Sequence, residues 1–376
     1  MAQVYCGGGR ARRSTASKIM LKVLSSRQVV LSWPSVLAIV ALAMLLAAGC
    51  RESAPPAREP HKGAAGAQAH RTPVKLLLNW FPEVEHGGFY AADVHGYFRE
   101  AGLDVTIVPG GPRSAVVEQV AGGQIAFGVT NADNLLFAQA QGARAIALLA
   151  PLETSPRSIM VHERSGIRRF EDLRNVTLAM KSGAAFEQFL RKRLPLENVR
   201  IVPYGGSVAP FLEDERYAQQ AYVFSEPYVA EKNGAEVRNL MLADLGFNPY
   251  SSLLIASEKT VRDKPALVRS MVRASQKGWA HYLRDPEPTN RRLHEVNPEM
   301  DLDVLAFGAK AIRQLASDTP GGGLRGMTVE RWQQLEQQLV DTGQLKPGET
   351  RAQQAFTNEF LDRARPTDQA SSSSGD

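Results

Sequence analysis

Short apolar runs alternate with longer amphipathic segments along the middle of the chain, and this alternation predicts β-strands that are each followed by an α-helix. Residues 74–78 form an apolar run of strand length, and residues 87–100 have a helical spacing that ends at Gly102. The other predicted strands are 105–108, 125–129, 145–149, 159–162, 176–180, 199–202, 221–224 and 251–255. This order is typical of an α/β fold with a largely parallel sheet.

The predicted helices are distributed unevenly along the chain. After the helix at 87–100, those between strands are short, at 114–121, 131–141 and 184–194, whereas three longer ones follow the last strand, at 265–283, 302–315 and 329–342. A chain with this ending is expected to cross into a second lobe and to return to complete the first. We place the first part of lobe 1 at 72–156, lobe 2 at 157–249, and the return to lobe 1 with the C-terminal helices at 250–363.

The N-terminal part predicts export. A basic stretch leads into residues 36–48, "VLAIVALAMLLAA", an apolar run with the length of a signal-peptide core. The sequence "LAAGC" that ends at Cys50 resembles the bacterial lipobox, whose cysteine is lipidated and becomes the mature N-terminus. We therefore predict a lipoprotein signal peptide at 1–49 and a periplasmic or cell-surface protein anchored to a membrane through Cys50. An ordinary signal peptide and an uncleaved anchor are the alternatives.

Two further segments have compositions that cannot bury a core. Residues 50–71 consist largely of Ala, Pro, Gly and charged residues, and we predict a disordered tether from the membrane to the domain. Residues 364–376 are predicted to be a disordered tail. Cys6, the other cysteine of the chain, lies in the predicted signal peptide, so an internal disulfide is not expected.

The charge distribution gives no reason to expect a nucleic-acid partner. The formal net charge is +5, but residues 1–49 carry six basic side chains and no acidic one. The remainder of the chain therefore has a net charge of about −1, obtained by subtracting 6 from 5.

The segment "NWFPEVEHGGFY", residues 79–90, follows directly after the first predicted strand. Ligands of open α/β sheets bind beyond the carboxyl ends of the strands, so recognition chemistry is expected here. Trp80, His86 and Tyr90 offer flat faces for stacking and polar edges for hydrogen bonds. The alternative is a core Trp and a helix-capping His.

Later strand ends carry further candidates. Asn131 and Asp133 follow the strand at 125–129, where a helix N-terminus and a carboxylate could face a ligand, although Asn131 is also a natural N-cap. Ser182 lies at a strand-to-helix turn of lobe 2, and Tyr204 follows the next strand. Tyr250 is a candidate because it lies near the return crossing between the lobes.

Several stretches resemble the periplasmic binding proteins for thiamine pyrimidine precursors. The first is "LLLNWFPEVEHGGFYAADVHGYFREAGLDVTIVPGG", and the family's pattern matches here at Trp80, Pro82, His86, Gly88, Tyr90, Ala92, 96–98 and 102–105. Similar matches follow at "QVAGGQIAFGVTNADNLLFAQAQG", "SEPYVAEKNG" and "SQKGWAHYLRDPE", so the resemblance covers most of 74–315. "FEDLRNVTLAM" also resembles the family's entry to lobe 2 but lacks its usual Gly and Lys.

The resemblance implies a two-lobed type II periplasmic binding protein fold with a hinge and an inter-lobe ligand cleft. It also implies the solute-binding component of an ABC importer, which would act as a monomer and deliver a formylaminopyrimidine or a similar heterocycle to the permease and ATPase subunits. The family places an acid facing the ligand at the position of Glu226 in "FSEPYV", although a Glu there also complements the helix dipole. Riboflavin, an alkanesulfonate such as taurine, and nitrate are the alternative ligands.

Two other classes of function remain as alternatives. The fungal relatives of this family synthesise the thiamine pyrimidine with a cysteine-rich motif, and 51–376 contains no cysteine, so we expect no enzyme. The sequence shows no catalytic motif and no metal-ligand cluster, and neither a cofactor nor a metal is expected. An exported sensory module is not excluded by any residue.

Overall fold

The computed structural model describes residues 71–316 and 324–362. The predicted signal peptide, the lipid anchor at Cys50, the tail and all of the tether except Arg71 lie outside the described residues. Within those two ranges, no helix is both long enough and apolar enough to cross a membrane.

The strands of the described residues are β1 (Thr72–Leu77), β2 (Leu103–Val108), β3 (Phe127–Thr130), β4 (Ala145–Leu149), β5 (Arg157–His162), β6 (Thr177–Met180), β7 (Arg200–Pro203), β8 (Tyr217–Tyr222), β9 (Val237–Met241) and β10 (Leu253–Ser257). The α-helices are α1 (Gly87–Val94), α2 (Tyr97–Glu100), α3 (Val116–Ala121), α4 (Ala132–Ala140), α5 (Ala185–Arg193), α6 (Ala209–Glu213), α7 (Glu226–Lys232), α8 (Glu258–Asp263), α9 (Pro265–Arg284), α10 (Glu287–Val296), α11 (Leu302–Leu315) and α12 (Val329–Asp341).

The strands form two five-stranded sheets of matching topology, and the α/β prediction is confirmed. The first sheet has the order β2-β1-β3-β10-β4 and forms the first lobe, and the second has the order β7-β6-β8-β5-β9 and forms the second lobe. In each sheet three strands pair in parallel, but β10 and β5 are antiparallel to both of their neighbours. Each of these two strands is the first after the chain crosses from the other lobe, so each sheet is mixed.

Some elements differ from those predicted. The helix expected at 87–100 is broken into α1 and α2 at Gly96, whose φ of 77° lies in the left-handed region that glycine tolerates. Helices α6, α8 and α10 were not predicted. The first two are shorter than eight residues, and α10, "EPTNRRLHEV", has few apolar positions. β9 was also missed, since the polar pair Arg238 and Asn239 interrupts the apolar positions of "VRNLM".

Glycines bring α1 and α9 into close contact, and α1 directly follows the segment that builds the site. A Cβ at Gly278 would lie 2.1 Å from the backbone oxygen of Gly88, and a Cβ at Gly88 would meet the buried ring of Trp279. The Trp279 ring also packs edge-on against Phe89 at a centroid distance of 5.8 Å. The two helices can therefore approach only without side chains at these positions.

We predict that Gly278→Ala lowers the free energy of unfolding by about 1–3 kcal/mol, because the added methyl group must force α1 and α9 apart. Gly205→Ala is the matched control, since no atom lies within 4 Å of a Cβ at Gly205. Chemical denaturation of both variants measures the difference. Equal stability of the two variants would show that the helices tolerate the separation.

Candidate functional site

The segment after β1 is held against the loop that follows β2. The Gly110 N–H donates to the Trp80 backbone oxygen at 3.0 Å, and a Cβ at Gly110 would lie 2.0 Å from the Leu78 oxygen. A short 3-10 helix, Val84–His86, then leads into α1. Its residues are buried, so the polar side chains of this segment are directed into the protein.

His86 is fully buried and bonded at both ring nitrogens. Its Nδ1 accepts the backbone N–H of Glu83 at 3.4 Å, so its Nε2 carries the proton and donates to the Asn79 Oδ1 at 3.0 Å. Burial lowers the pKa of His86 to about 3, so the ring is neutral. His86 therefore orients Asn79 and the segment around it.

Glu83 and Glu85 are buried carboxyl groups on this same segment. Glu85 accepts hydrogen bonds from the Asn79 side-chain amide at 3.2 Å and from the Ser252 hydroxyl at 3.5 Å. Burial raises the pKa of Glu85 to about 7 despite these bonds. Burial, together with the neighbouring charges of Glu85 and Glu226, raises the pKa of Glu83 well above its usual range.

Glu226, the first residue of α7, brings a third carboxyl group from the second lobe. One of its oxygens accepts the Tyr204 hydroxyl at 3.0 Å, and the other accepts the Tyr222 N–H at 2.9 Å. Burial raises the pKa of Glu226, and burial with the Glu226 charge raises that of Tyr204. Glu83, Glu85 and Glu226, which act on one another through their charges, form the carboxyl cluster.

One guanidinium lies beside the carboxyl cluster. Arg157 donates to the Tyr222 hydroxyl at 2.7 Å, and its guanidinium lies 4.4 Å from the ring centroid of Phe186 and 4.8 Å from that of Tyr222. Its charge lowers the pKa values of Glu85 and Glu226, which burial nonetheless raises. Asn131 of the first lobe donates to the same Tyr222 hydroxyl at 3.4 Å.

The structure places the predicted site residues in different surroundings. Asn131, Tyr204 and Glu226 lie at the carboxyl cluster, and the buried Asp133 is near enough to raise the pKa of Tyr222. Trp80 is 40% exposed, with the exposed Phe81 ring packed edge-on against it at 5.4 Å.

Three other predicted residues, Ser182, Tyr90 and Tyr250, do not join the cluster through any contact in the described residues. Ser182 is exposed on the loop between β6 and α5. Tyr90 is buried in the core of the first lobe, where burial raises its pKa to about 12. The buried Tyr250 accepts the Thr328 N–H at 3.0 Å, and the Arg331 guanidinium lies 3.8 Å from its ring centroid. His86 contacts Glu85 but has no free ring nitrogen.

Sequence reasoning missed several residues at the cluster. They are Asn79, Glu83, Glu85, Arg157, Phe186, Tyr222 and Ser252. The signal for Glu83 and Glu85 was present, since two acids stand in an otherwise aromatic segment after a strand. Arg157 begins β5, directly after the crossing between the lobes.

The two lobes contact each other beyond the cluster. Lys232 of α7 lies 2.8 Å from the Asp303 carboxylate and 3.2 Å from that of Asp301, and the Tyr228 and Phe307 rings stack at 4.7 Å. A Cβ at Gly308 of α11 would lie 2.7 Å from the Phe224 oxygen. The helix that begins with Glu226 is thus docked on the first lobe.

Arg331 of α12 joins the two crossing segments, 150–156 and 242–252. Its guanidinium donates to the backbone oxygens of Glu153 at 2.6 Å and Asn248 at 2.7 Å, and to the Asn248 side chain at 3.0 Å. The Asn248 side chain also accepts the Ser155 N–H at 2.8 Å. The segments about which the lobes would rotate are therefore tied to one helix.

The fold is that of the periplasmic binding proteins. Its solved structural neighbours include the periplasmic aliphatic sulphonate binding protein of Escherichia coli, with a TM-score of 0.61, 18% identity, and coverage of 78% of this chain and 95% of that one. Residues 83–289 match the model of the NMT1/THI5-like family, and the chain belongs to that family.

Curated relatives carry several names. The chain is 26% identical over 344 residues to a riboflavin-binding protein of Chloroflexus aurantiacus, and this match covers 87% of this chain and 97% of the relative. It is 22% identical over 274 residues to a formylaminopyrimidine-binding protein of Halalkalibacterium halodurans, with coverage of 70% and 83%. It is also 24% identical over 248 residues to a 4-amino-5-hydroxymethyl-2-methylpyrimidine phosphate synthase of Saccharomyces cerevisiae, with coverage of 61% and 73%.

We predict that Glu85 makes the protein less stable as the pH rises from about 4.5 to about 7. Its folded-state pKa is raised, so over this window the folded protein keeps a proton that the unfolded chain releases, and the free energy of unfolding falls. The contribution of Glu85 to this fall in the free energy of unfolding should be on the order of 3 kcal/mol, and Glu85→Gln should lack it.

Urea denaturation across this pH range measures the effect. Glu118→Gln, at an exposed position of α3, is the control and should follow the wild type. Parallel pH profiles for wild type and Glu85→Gln would contradict the assignment of a buried, proton-binding Glu85.

Proposed function

We propose that the protein is the solute-binding component of an ABC importer, which captures a small heteroaromatic compound such as a formylaminopyrimidine and delivers it to a membrane permease. The observation that carries this proposal is the carboxyl cluster, which joins side chains of both lobes where the crossing segments begin and end. Residues from two lobes that meet around one polar site can bind a ligand by closing on it.

The chemistry of the cluster favours a ligand with N–H donors over a bare anion. Two buried carboxyl groups, the half-buried Glu226 and the Tyr222 hydroxyl offer hydrogen-bond acceptors, whereas Arg157 already donates to that hydroxyl. Nitrate or a sulfonate would need uncommitted cations. The likeness to the sulphonate-binding structure concerns the fold alone, since the identity is 18%.

Two aromatic rings support a flat ligand. The exposed Trp80 indole lies close to Glu83 in the sequence, the half-buried Tyr204 donates its hydroxyl to Glu226, and both ring types stack on heterocycles. Glu226 would accept from an amino group of the ligand, with Tyr204 holding the carboxyl in place. Asn131 and Asp133 would contact the ligand from the first lobe.

Riboflavin is the second candidate ligand. The longest match among the relatives above, over 344 residues, is to a protein named for riboflavin binding. Its isoalloxazine ring system is also flat and carries an imide N–H, which a carboxyl group could accept. The two ligands differ in size and in basicity, so direct binding measurements separate them.

A carrier function agrees better with the relatives than a synthase function. The two binding proteins match 87% and 70% of this chain, whereas the yeast synthase matches 61%. Export and a lipid anchor at Cys50 complete the proposal, because an anchored binding protein would stay close to its permease. A sensory role is the remaining alternative, and a permease gene next to this one would favour transport.

We predict that one heterocycle raises the melting temperature of the full-length protein in a panel of a formylaminopyrimidine, riboflavin, taurine and nitrate. A ligand that binds only the folded state stabilises it by RT ln(1 + [L]/Kd), about 2.7 kcal/mol at a hundredfold excess over Kd. Trp80→Ala and Glu226→Gln should reduce the shift, and Leu212→Ala, at an exposed apolar position of the second lobe, should not. A shift with taurine or nitrate alone would overturn the heterocycle assignment.

A further inference from the structure

Helix α7 connects the carboxyl cluster to an ion pair between the lobes. Its first residue, Glu226, belongs to the cluster, and the ammonium group of its last residue, Lys232, lies 2.8 Å from the Asp303 carboxylate and 3.2 Å from that of Asp301. The Tyr228 hydroxyl, on the same helix, donates to Asp303 at 3.4 Å. One helix of the second lobe therefore carries a site residue at its start and an inter-lobe ion pair at its end.

This ion pair lies at the end of α11 that is remote from the crossing segments. Both aspartates flank the first residue of α11. At the other end of the helix, the Leu315 backbone oxygen accepts two N–H groups of the crossing segment 150–156, at 2.8 and 3.0 Å. With a rise of about 1.5 Å per residue, the two ends of α11 are about 20 Å apart. A rotation of the lobes about the crossing segments would therefore separate Lys232 from its carboxylates.

The two lobes also fit together nearer the middle of α11. The Tyr228 and Phe307 rings stack at a centroid distance of 4.7 Å. A Cβ at Gly308 would lie 2.7 Å from the backbone oxygen of Phe224, so the second lobe can come this close only because position 308 has no side chain. The ion pair is thus one part of a contact surface with a definite shape.

Each charge of the ion pair remains stabilised when the lobes separate. Lys232, Asp301 and Asp303 are exposed, so water can solvate them without a partner. Lys232 ends α7 and the aspartates stand at the start of α11, so each charge lies at the helix end whose dipole favours it. The contact can therefore form and break without leaving an unpaired buried charge, and salt screens it.

We propose that Lys232 is a positioning residue whose contact with Asp301 and Asp303 forms a reversible latch, which keeps the lobes together before a ligand binds and so holds Glu226 at the carboxyl cluster. The inference rests on the proposed function only in that a binding protein must open to admit its ligand. The ligand-free protein is an equilibrium between a latched and an open form, and ionic strength shifts this equilibrium. Loss of the latch lowers the fraction of the binding-competent form, and the apparent dissociation constant of any ligand rises by the same factor.

The first test needs no ligand. Nitroxide labels are attached at Glu231→Cys and Glu299→Cys, two exposed positions beside the latch on opposite lobes, in the full-length chain with Cys6→Ser and Cys50→Ser. Double electron–electron resonance should give a short distance between the labels at low ionic strength. A population with a longer distance should grow as salt shortens the Debye length from about 30 Å to about 8 Å. Lys232→Gln should show the longer distance already at low salt and lose the salt dependence.

Lys277→Gln is the matched control, because Lys277 and Glu100 form an exposed ion pair of 3.4 Å within the first lobe. It should leave the distances and their salt dependence as in the wild type. Lys232→Arg should also keep them, since a guanidinium can contact both carboxylates. Equal distances in the wild type and Lys232→Gln at every salt concentration would overturn the latch.

A second measurement connects the latch to binding. In calorimetric titrations with a formylaminopyrimidine and with riboflavin, Lys232→Gln should weaken whichever probe binds by about two- to fivefold, the range expected of an exposed ion pair. Added salt should weaken binding more in the wild type than in Lys232→Gln. A merely structural role of Lys232 would change the melting temperature and leave both the affinity and its salt dependence as they are.

The possible failures are distinct. If neither heterocycle binds, the heterocycle assignment of the proposed function falls, while the distances between the labels still decide whether the latch exists. If a heterocycle binds the wild type and Lys232→Gln with equal affinity, the carrier function stands and the positioning role of Lys232 falls.

Discussion

The placing of three carboxyl groups, two buried and one half-buried, next to one guanidinium is the constraint on which the arrangement of the site depends. Each buried carboxyl group requires donors in fixed positions, and the fold supplies them from separate parts of the chain. Asn79 is oriented by His86, Ser252 follows the return crossing, and Tyr204 comes from the second lobe. The cluster can therefore exist only when both lobes and the crossing segments are in place.

Glu83 is a buried carboxyl group whose pKa is raised well above its usual range by burial and by the neighbouring charges of Glu85 and Glu226. Buried ionisable groups of this kind cost stability, and natural proteins keep them mostly at functional sites. The stability needed to hold it comes from elsewhere, including the close packing of α1 on α9 through Gly88 and Gly278. The two buried acids of the site and the glycine that packs α1 on α9 therefore lie close together in the sequence, within residues 83–88.

Much of the fold could be predicted from apolar periodicity, because strands such as β4 and helices such as α11 are buried on a regular face. The site was less predictable. Glu226 was identified by resemblance, whereas Glu83 and Glu85 were passed over in favour of the aromatic residues and the histidine of the same segment. Their burial arises from distant residues such as Ser252, which local sequence does not reveal. Tyr250 was a candidate because it lies near the return crossing, and its contacts with Thr328 and Arg331, far along the chain, are not evident from local sequence.

The Arg331 contacts with both crossing segments have a consequence for how motion in this protein could be observed. The next residue, Trp332, is fully buried, lies parallel to the Phe356 ring at 5.9 Å, and is 5.9 Å from the Tyr250 ring. Any rotation of the lobes that moves Arg331 also changes the surroundings of this indole. The protein therefore carries a buried indole next to the residue that joins both crossing segments, and its emission would report a movement of these segments without an added label.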